Sequence, residues 1–422
     1  MTVKVPVEDL RVGMFIHLDL GWMSHPFPLS SFKISSQEQI DTIRSLGLRQ
    51  VRWEAARSDA LHTTAELVAE APIPAAAPPA SHSAEEDSPS QRQAKALAGQ
   101  EATQRLCEKQ FSEACRDLRH VNELALSAPP AARDASQALT RALLDKMLIG
   151  DGELCLRVLG EPSGDRASAH AMNVAVLSLL LAKHLGWPDH ELMDLGTGAL
   201  LHDVGKLNLP DRLRLQQDNF TAAEQARYRD HVAQGITMGR QMGLSAGSLL
   251  VLAQHHEMAD GSGFPSGCPQ ERMTQAARIV SLVNHYDKLC NPASLSKALT
   301  PHEALSRMFA QSRSRFDISL LNAFIRMMGI YPPGSVVQLS DERFAMVMTV
   351  NAQRPLKPTV LVHDQRAPRQ DRLHLNLEGR SDLGIRRNIK PDQLPAKAAE
   401  FLAPRQRLSY FFGTDVNSLQ PA

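Results

Sequence analysis

Apolar and polar positions alternate through the opening stretch VKVPVEDLRVGMFIHLDL, with Gly13 as a turn residue, which predicts short strands. SSQEQIDTIRSLGL then changes period. Serines and Glu38 stand at its start, Ile40, Ile43 and Leu46 share one face, and Gly47 stops it, as in a helix. VRWEA reads as a closing strand, so residues 1–62 are expected to form a small α+β module. The next stretch, 63–92, is rich in Ala, Pro and Ser, acidic, and poor in anything to bury; a disordered or PPII-like linker is expected there.

Helical period returns at about 93–125, where Leu106, Phe111, Ala114, Leu118, Val121 and Leu124 recur at three- and four-residue spacing. A second helix follows the Pro129-Pro130 break and runs through ALTRALLDKMLIG, giving a helical connector over 93–150. Residues 151–333 read as almost entirely helical, broken at Gly160–Pro162, Trp187-Pro188, Pro210, the loop 261–269 and Asn291-Pro292. Past Pro332-Pro333-Gly334 the runs SVVQLSD, FAMVMTVN and PTVLVHD are β-branched and alternating, which predicts a small antiparallel sheet within 334–422. LAPRQRLSYFF, with Arg405, Arg407 and the aromatics Tyr410 to Phe412, is expected to be a terminal strand on that sheet rather than a nucleic-acid patch. The expected fold is mainly α: an all-helical domain between a small α+β module and a small β subdomain.

Composition narrows the function classes. A length of 422 residues implies more than one domain, and 43% hydrophobic with 22% charged residues fits a soluble globular chain. The 46 basic and 46 acidic residues cancel, so total charge gives no reason to expect a nucleic-acid polymer or a membrane surface as partner. Any phosphate site must be local. The start lacks an apolar leader segment and no run of about 18 apolar residues occurs, so a cytoplasmic location without membrane spans is expected. Cys107, Cys115, Cys155, Cys268 and Cys290 form no CxxC pair, which fits reduced thiols.

The sharpest chemical feature is His202-Asp203 in LLHDVGK, at the end of an apolar helix that starts near Asp189. Alone, such a pair reads as a capped, exposed helix end. Four further histidine positions change this: His170 on the preceding helix, His231 opening HVAQGITMG, and His255 and His256 closing LLVLAQHH. Imidazoles combined with a carboxylate suit first-row divalent metals, and a carboxylate set between two imidazole groups can bridge two ions. Such a pair can generate hydroxide at neutral pH and clamp a phosphodiester for in-line attack.

HDVGK, HVAQG and HHEMADGSGFP, in this order and spacing, resemble the HD-GYP family, bacterial phosphodiesterases of cyclic di-GMP within the HD superfamily. The resemblance covers roughly 160–330, within the helical stretch 151–333. DLRVGMFIHLDLGWMSHPF resembles a small domain of unknown function often found ahead of HD-GYP domains. The resemblance implies two divalent ions, Fe or Mn foremost, with Zn, Ni or Co as alternatives. It implies His170, His202 and Asp203 around the first ion and Asp203, His231, His255 and His256 around the second. Lys206 would contact a substrate phosphate, and Gly261, Gly263, Phe264 and Pro265 would form the signature loop.

Four departures stand out. Phe264 replaces the signature Tyr, at the cost of a hydroxyl only. Asn284 in RIVSLVNHYDKL stands where the family has a ligating Asp, so the first ion should bind more weakly; Asp287 takes the second Asp position, with a structural role expected. Arg166 replaces a Glu that supports a third metal in some members, so a third ion is not expected. In NPASLSKALT only Lys297 remains of the basic residues that clamp substrate phosphate. Two readings follow: a cyclic di-GMP phosphodiesterase yielding pGpG, GMP or both, or a degenerate receptor that signals through its N-terminal module or GGDEF-domain cyclases. Hydrolysis of another nucleotide is disfavoured by the signature loop. Helices 93–148 offer either a homodimer contact or packing onto the catalytic helices.

Overall fold

The computed structural model describes residues 2–20, 27, 31–59, 89–147, 155–159, 165–214, 220–351, 357–364, 373–378, 380, 382–402, 404 and 407–413. Most of the expected linker, 63–88, lies outside the described residues, as does Arg405. The chain divides into two units, 1–98 and 99–422.

In the first unit, β1 (Thr2–Pro6), β2 (Phe15–His17) and β3 (Ser31–Lys33) are followed by α1 (Gln37–Ser45) and β4 (Gln50–Glu54). The strands form an antiparallel sheet in the order β1-β4-β2-β3. Ser36 caps α1 by accepting a hydrogen bond from the Gln39 amide. Ile40 and Ile43 of that helix then pack with Ile16, Ile34 and Val51 of the sheet region in one apolar core.

Helix α2 (Pro89–Ser127) starts earlier than the apolar period suggested, within residues 1–98, and the second unit takes in its remainder and α3 (Pro129–Met147). Next comes β5 (Cys155–Val158), a strand inside the stretch expected to be helical. Its four residues are too few to show a period, but Leu156 and Val158 are buried and Arg157 between them is not. Pairing on both edges, to strands far along the chain, decides its conformation.

Helices α4 (Arg166–His184), α5 (Asp189–Leu201), α6 (Ala222–Arg229), α7 (His231–Met242), α8 (Ala246–Gln254), α9 (Gln275–Cys290), α10 (Pro301–Gln311) and α11 (Ile318–Met328) follow. Their starts are local: Asp165, Thr221, Ser245 and Thr274 each cap a helix with a side-chain oxygen, and Thr221 with Glu224 makes a full capping box. Every residue of α4 from Ala171 to Ala182 is buried, and this helix packs on α5 and α9 at the centre of the unit. Helix α3 turns its buried face to α5 and α7.

β6 (Val336–Leu339), β7 (Phe344–Asn351), β8 (Thr359–His363), β9 (Leu373–Asn376) and β10 (Ile385–Ile389) precede α12 (Ala396–Leu402) and β11 (Tyr410–Gly413). All pair antiparallel in the order β10-β6-β7-β5-β11, with β8 joined to β7 and β9 to β8. The sheet is therefore not confined to 334–422, because β5 sits between β7 and β11.

Candidate metal centre

Helix ends place the site. His202 immediately follows α5, His231 is the first residue of α7, His255 follows α8 with His256 next, and His170 lies early in α4. The close approach of the turn Val204–Asn208 to α7 requires glycine at 205: a Cβ there would lie 1.9 Å from the His231 carbonyl oxygen.

Four of the five imidazoles are held by their Nδ1. That atom lies 2.7 Å from the Ala199 carbonyl in His202, 2.6 Å from the Tyr228 carbonyl in His231 and 2.8 Å from the Leu252 carbonyl in His255. In His170 it lies 2.6 Å from Asp287 Oδ2. A carbonyl or carboxylate oxygen can only accept, so Nδ1 carries the proton and Nε2 presents a lone pair.

Those Nε2 atoms converge on Asp203. His170 and His202 approach Oδ2 at 3.8 and 3.5 Å, and His231 and His255 approach Oδ1 at 3.4 and 3.7 Å. The Nε2 atoms also face each other, 3.3 Å apart between His170 and His202 and 3.4 Å apart between His231 and His255. With both protons on Nδ1, neither pair has a hydrogen to share, and lone pairs at that distance call for a cation.

Electrostatics agree. Burial pulls His231 down to about 3 and His255 to about 4, so both are neutral at pH 7, the form in which imidazole can bind a metal. Burial alone would raise Asp203, but the Lys206 charge and His202 outweigh it and hold the carboxyl well below the usual range. Asp203 Oδ1, His256 Nε2 and Asn284 Oδ1 are buried without a hydrogen-bond partner, an arrangement that costs free energy unless an ion takes them up. Among the described residues, potential ligand atoms gather in two groups within 4.8 Å: His170, His202 and Asp203, and Asp203, His231, His255 and His256. Asp203 belongs to both. The donor set therefore fits divalent metal, with imidazole nitrogen and carboxylate oxygen as ligands.

The departures acquire physical form. Asp287, besides holding His170, accepts at 2.8 Å from Asn173 and from Asn291. Those two asparagines also bind the chain near β11: Asn173 Nδ2 and Asn291 Nδ2 donate to the Leu408 carbonyl, and the Leu408 and Tyr410 amides donate to Asn291 and Asn173. Arg166 turns to the carbonyls of Asn291 and Ala293, at 3.3 and 3.4 Å. Phe264 stacks on His256 with ring centroids 4.4 Å apart, so the aromatic face persists without the hydroxyl. Glu257 fixes the signature loop, its two carboxylate oxygens accepting from the Ser266 and Cys268 amides. A Cβ at Gly263 would lie 2.5 Å from the His256 carbonyl.

Lys206 Nζ lies 2.6 Å from Asp203 Oδ2 and 5.1 Å above the Tyr228 ring. Burial works against its charge, but Asp203 prevails and raises its pKa. Lys297 is exposed, in the turn Leu295–Lys297 beyond α9. Tyr228 and Lys288 were passed over in the sequence. Tyr228 could have been found from its place three residues before His231, where its carbonyl meets the imidazole.

Residues 158–320 match the family model described as HD domain, and residues 2–135 match the domain of unknown function DUF3391. The chain is 28% identical over 384 residues to a cyclic di-GMP phosphodiesterase of Pseudomonas aeruginosa, across 86% of this chain and 85% of that protein. It is 30% identical over 161 residues to the cyclic di-GMP phosphodiesterase response regulator RpfG of Xanthomonas campestris, across 38% of this chain and 43% of that one. Among solved structures, an HDG"Y"P protein from Bdellovibrio bacteriovorus aligns at 16% identity over 77% of this chain and 98% of its own, with a TM-score of 0.41, too low to bear on the fold.

Proposed function

From a chain that carries an HD domain of the HD-GYP kind behind a DUF3391 module, we infer a metal-dependent phosphodiesterase that hydrolyses cyclic di-GMP to pGpG, GMP or both. One observation carries the reading: imidazole Nε2 atoms from α4, α7 and the ends of α5 and α8 face a single ionised carboxylate, Asp203, from both sides. Two ions, Fe or Mn ahead of Zn, Ni or Co, would be held by His170, His202 and Asp203 and by Asp203, His231, His255 and His256, with Asn284 as a weak neutral donor. When bound, such a pair supplies an activated water and positive charge for the phosphodiester oxygens.

The protein groups do the rest. Asp203 stays ionised and joins the two halves of the site. Lys206 carries a held charge beside it, where a non-bridging phosphate oxygen can take up the ammonium. His256 and Phe264 form a flat wall that Glu257 keeps in place through the loop amides. Lys297, exposed beyond α9, is at most an outer contact for the nucleotide.

Purified protein loaded with Mn or Fe is expected to convert cyclic di-GMP, followed by chromatography beside a metal count per chain. No turnover in protein that holds two ions would sink the reading. A second reading, a receptor with little catalysis that works with GGDEF-domain cyclases, draws support from Asn284, buried with its Oδ1 unpartnered. Asn284→Asp is then expected to raise metal occupancy and turnover; an already full wild-type occupancy removes that reading. No described helix is long and apolar enough to cross a membrane, which supports a cytoplasmic place. The packing of α3 on α5 and α7 favours the intramolecular use of helices 93–148 over a homodimer, which sedimentation would test.

A further inference from the structure

Helix α9 directs one more charge at the metal centre. Lys288 stands one turn beyond Asn284 and so shares its face of the helix. That face is turned inward: Asn284 is 2% exposed, and the neighbouring Asp287 reaches His170. The Lys288 ammonium lies within electrostatic reach of Tyr228, Lys206, Asp203 and Asp287, and it acts in turn on His255 and His256. Three of the four oxygens of Asp203 and Asp287 are already engaged, and the fourth, Asp203 Oδ1, is turned to His231 and His255. Lys206 takes Asp203 Oδ2, His170 takes Asp287 Oδ2, and Asn173 and Asn291 share Asp287 Oδ1. Among the described residues nothing forms a hydrogen bond or ion pair with the half-buried Lys288 ammonium.

A partly desolvated cation without an anion is costly, and burial accordingly pulls the Lys288 pKa down. The cost is removed when an anion arrives. We propose that Lys288 is a substrate-binding residue that, with Lys206, grips the phosphodiester oxygens of cyclic di-GMP from the α9 side of the site. The inference rests on the phosphodiesterase reading and specifies which residues of this chain hold the substrate. It also accounts for a clamp in a chain whose stretch after α9 offers only the exposed Lys297.

The test uses the full-length, metal-loaded protein and its Lys288→Met, Lys288→Gln and Lys288→Arg variants. Metal per chain and melting temperature are measured first, and Lys288→Gln replaces Lys288→Met if the latter melts early. Losing one charged hydrogen bond to phosphate should raise KM for cyclic di-GMP about tenfold to a hundredfold. Metal content and kcat should stay near wild type, and Lys288→Arg should recover most of the loss. An unchanged KM overturns the proposal. So does a rise in metal content on removing the charge, which would make Lys288 a repellent of the ions. If the wild-type protein with both ions opens no cyclic di-GMP, the phosphodiesterase reading fails separately. Equilibrium binding of cyclic di-GMP then tests the lysine alone, with equal affinity in wild type and Lys288→Met counting against it.

Discussion

Asp287 keeps the His170 proton on Nδ1 from 2.6 Å and is itself steadied by two asparagine amides. Asp287→Ala would free the ring to turn and to exchange tautomers, and metal affinity is expected to fall about tenfold to a hundredfold. Titration of metal into the apo protein measures this; unchanged affinity would mean that His170 needs no such support. At this scale the sequence was informative where chemistry clusters along the chain. His202-Asp203 and His255-His256 are adjacent, and their neighbours HDVGK and HHEMADGSGFP mark them. It was uninformative where partners meet only in space. Asn173 is one polar residue in an apolar run, and nothing local tells that it bridges Asp287 and Leu408. Asn284 could be noticed, but not that its oxygen would be left without a partner.

Two elements invite experiment. The turn Val204–Asn208 presses on α7 so closely that Gly205→Ala must push the His231 backbone aside. A loss of about 1–3 kcal/mol or more is expected, with reduced metal binding, read by thermal melting and metal counting. Helix α3 buries Lys146, whose pKa burial lowers to about 8 against the opposing pull of Asp145. The unfolded chain keeps this lysine near 10.4. Below pH 8 both states are charged and the folded one bears the desolvation cost. Between pH 8 and about 10.4 the folded state sheds its proton first, so stability rises there. Lys146→Met should therefore raise the melting temperature at pH 7, by an amount that shrinks as pH approaches 10; no gain at pH 7 would refute this. Helix α1 was legible because its serine start and apolar period coincide, and Ser36 does cap it. Strand β5 was not, since four residues carry no period and their partners lie nearly two hundred or more positions away, at Thr349–Asn351 and Tyr410–Gly413.

For the molecule as a whole, the sheet and the metal centre are one structure. Strand β11 pairs with β5, and the Leu408 carbonyl and amide fasten the asparagines that hold Asp287. Removing residues 404–422 is expected to lower metal content per chain as well as the melting temperature, although every candidate ligand remains. Full occupancy in the shortened protein would separate the two. A chelator should likewise lower the melting temperature of the intact protein, since ions bound at about a hundred times their Kd contribute about 2.7 kcal/mol. The apolar texture of the C-terminal strands made the sheet foreseeable; its bond to the active helices was not, because it runs through backbone atoms, which every residue has. The ribosome meets the same order of events. Translation delivers the five candidate ligand histidines well before Leu408, so a chain still being made holds them without the pins that align the site. On the proposed function, hydrolysis would then stay weak until this late segment is in place, and an interrupted translation product would hold its ions poorly.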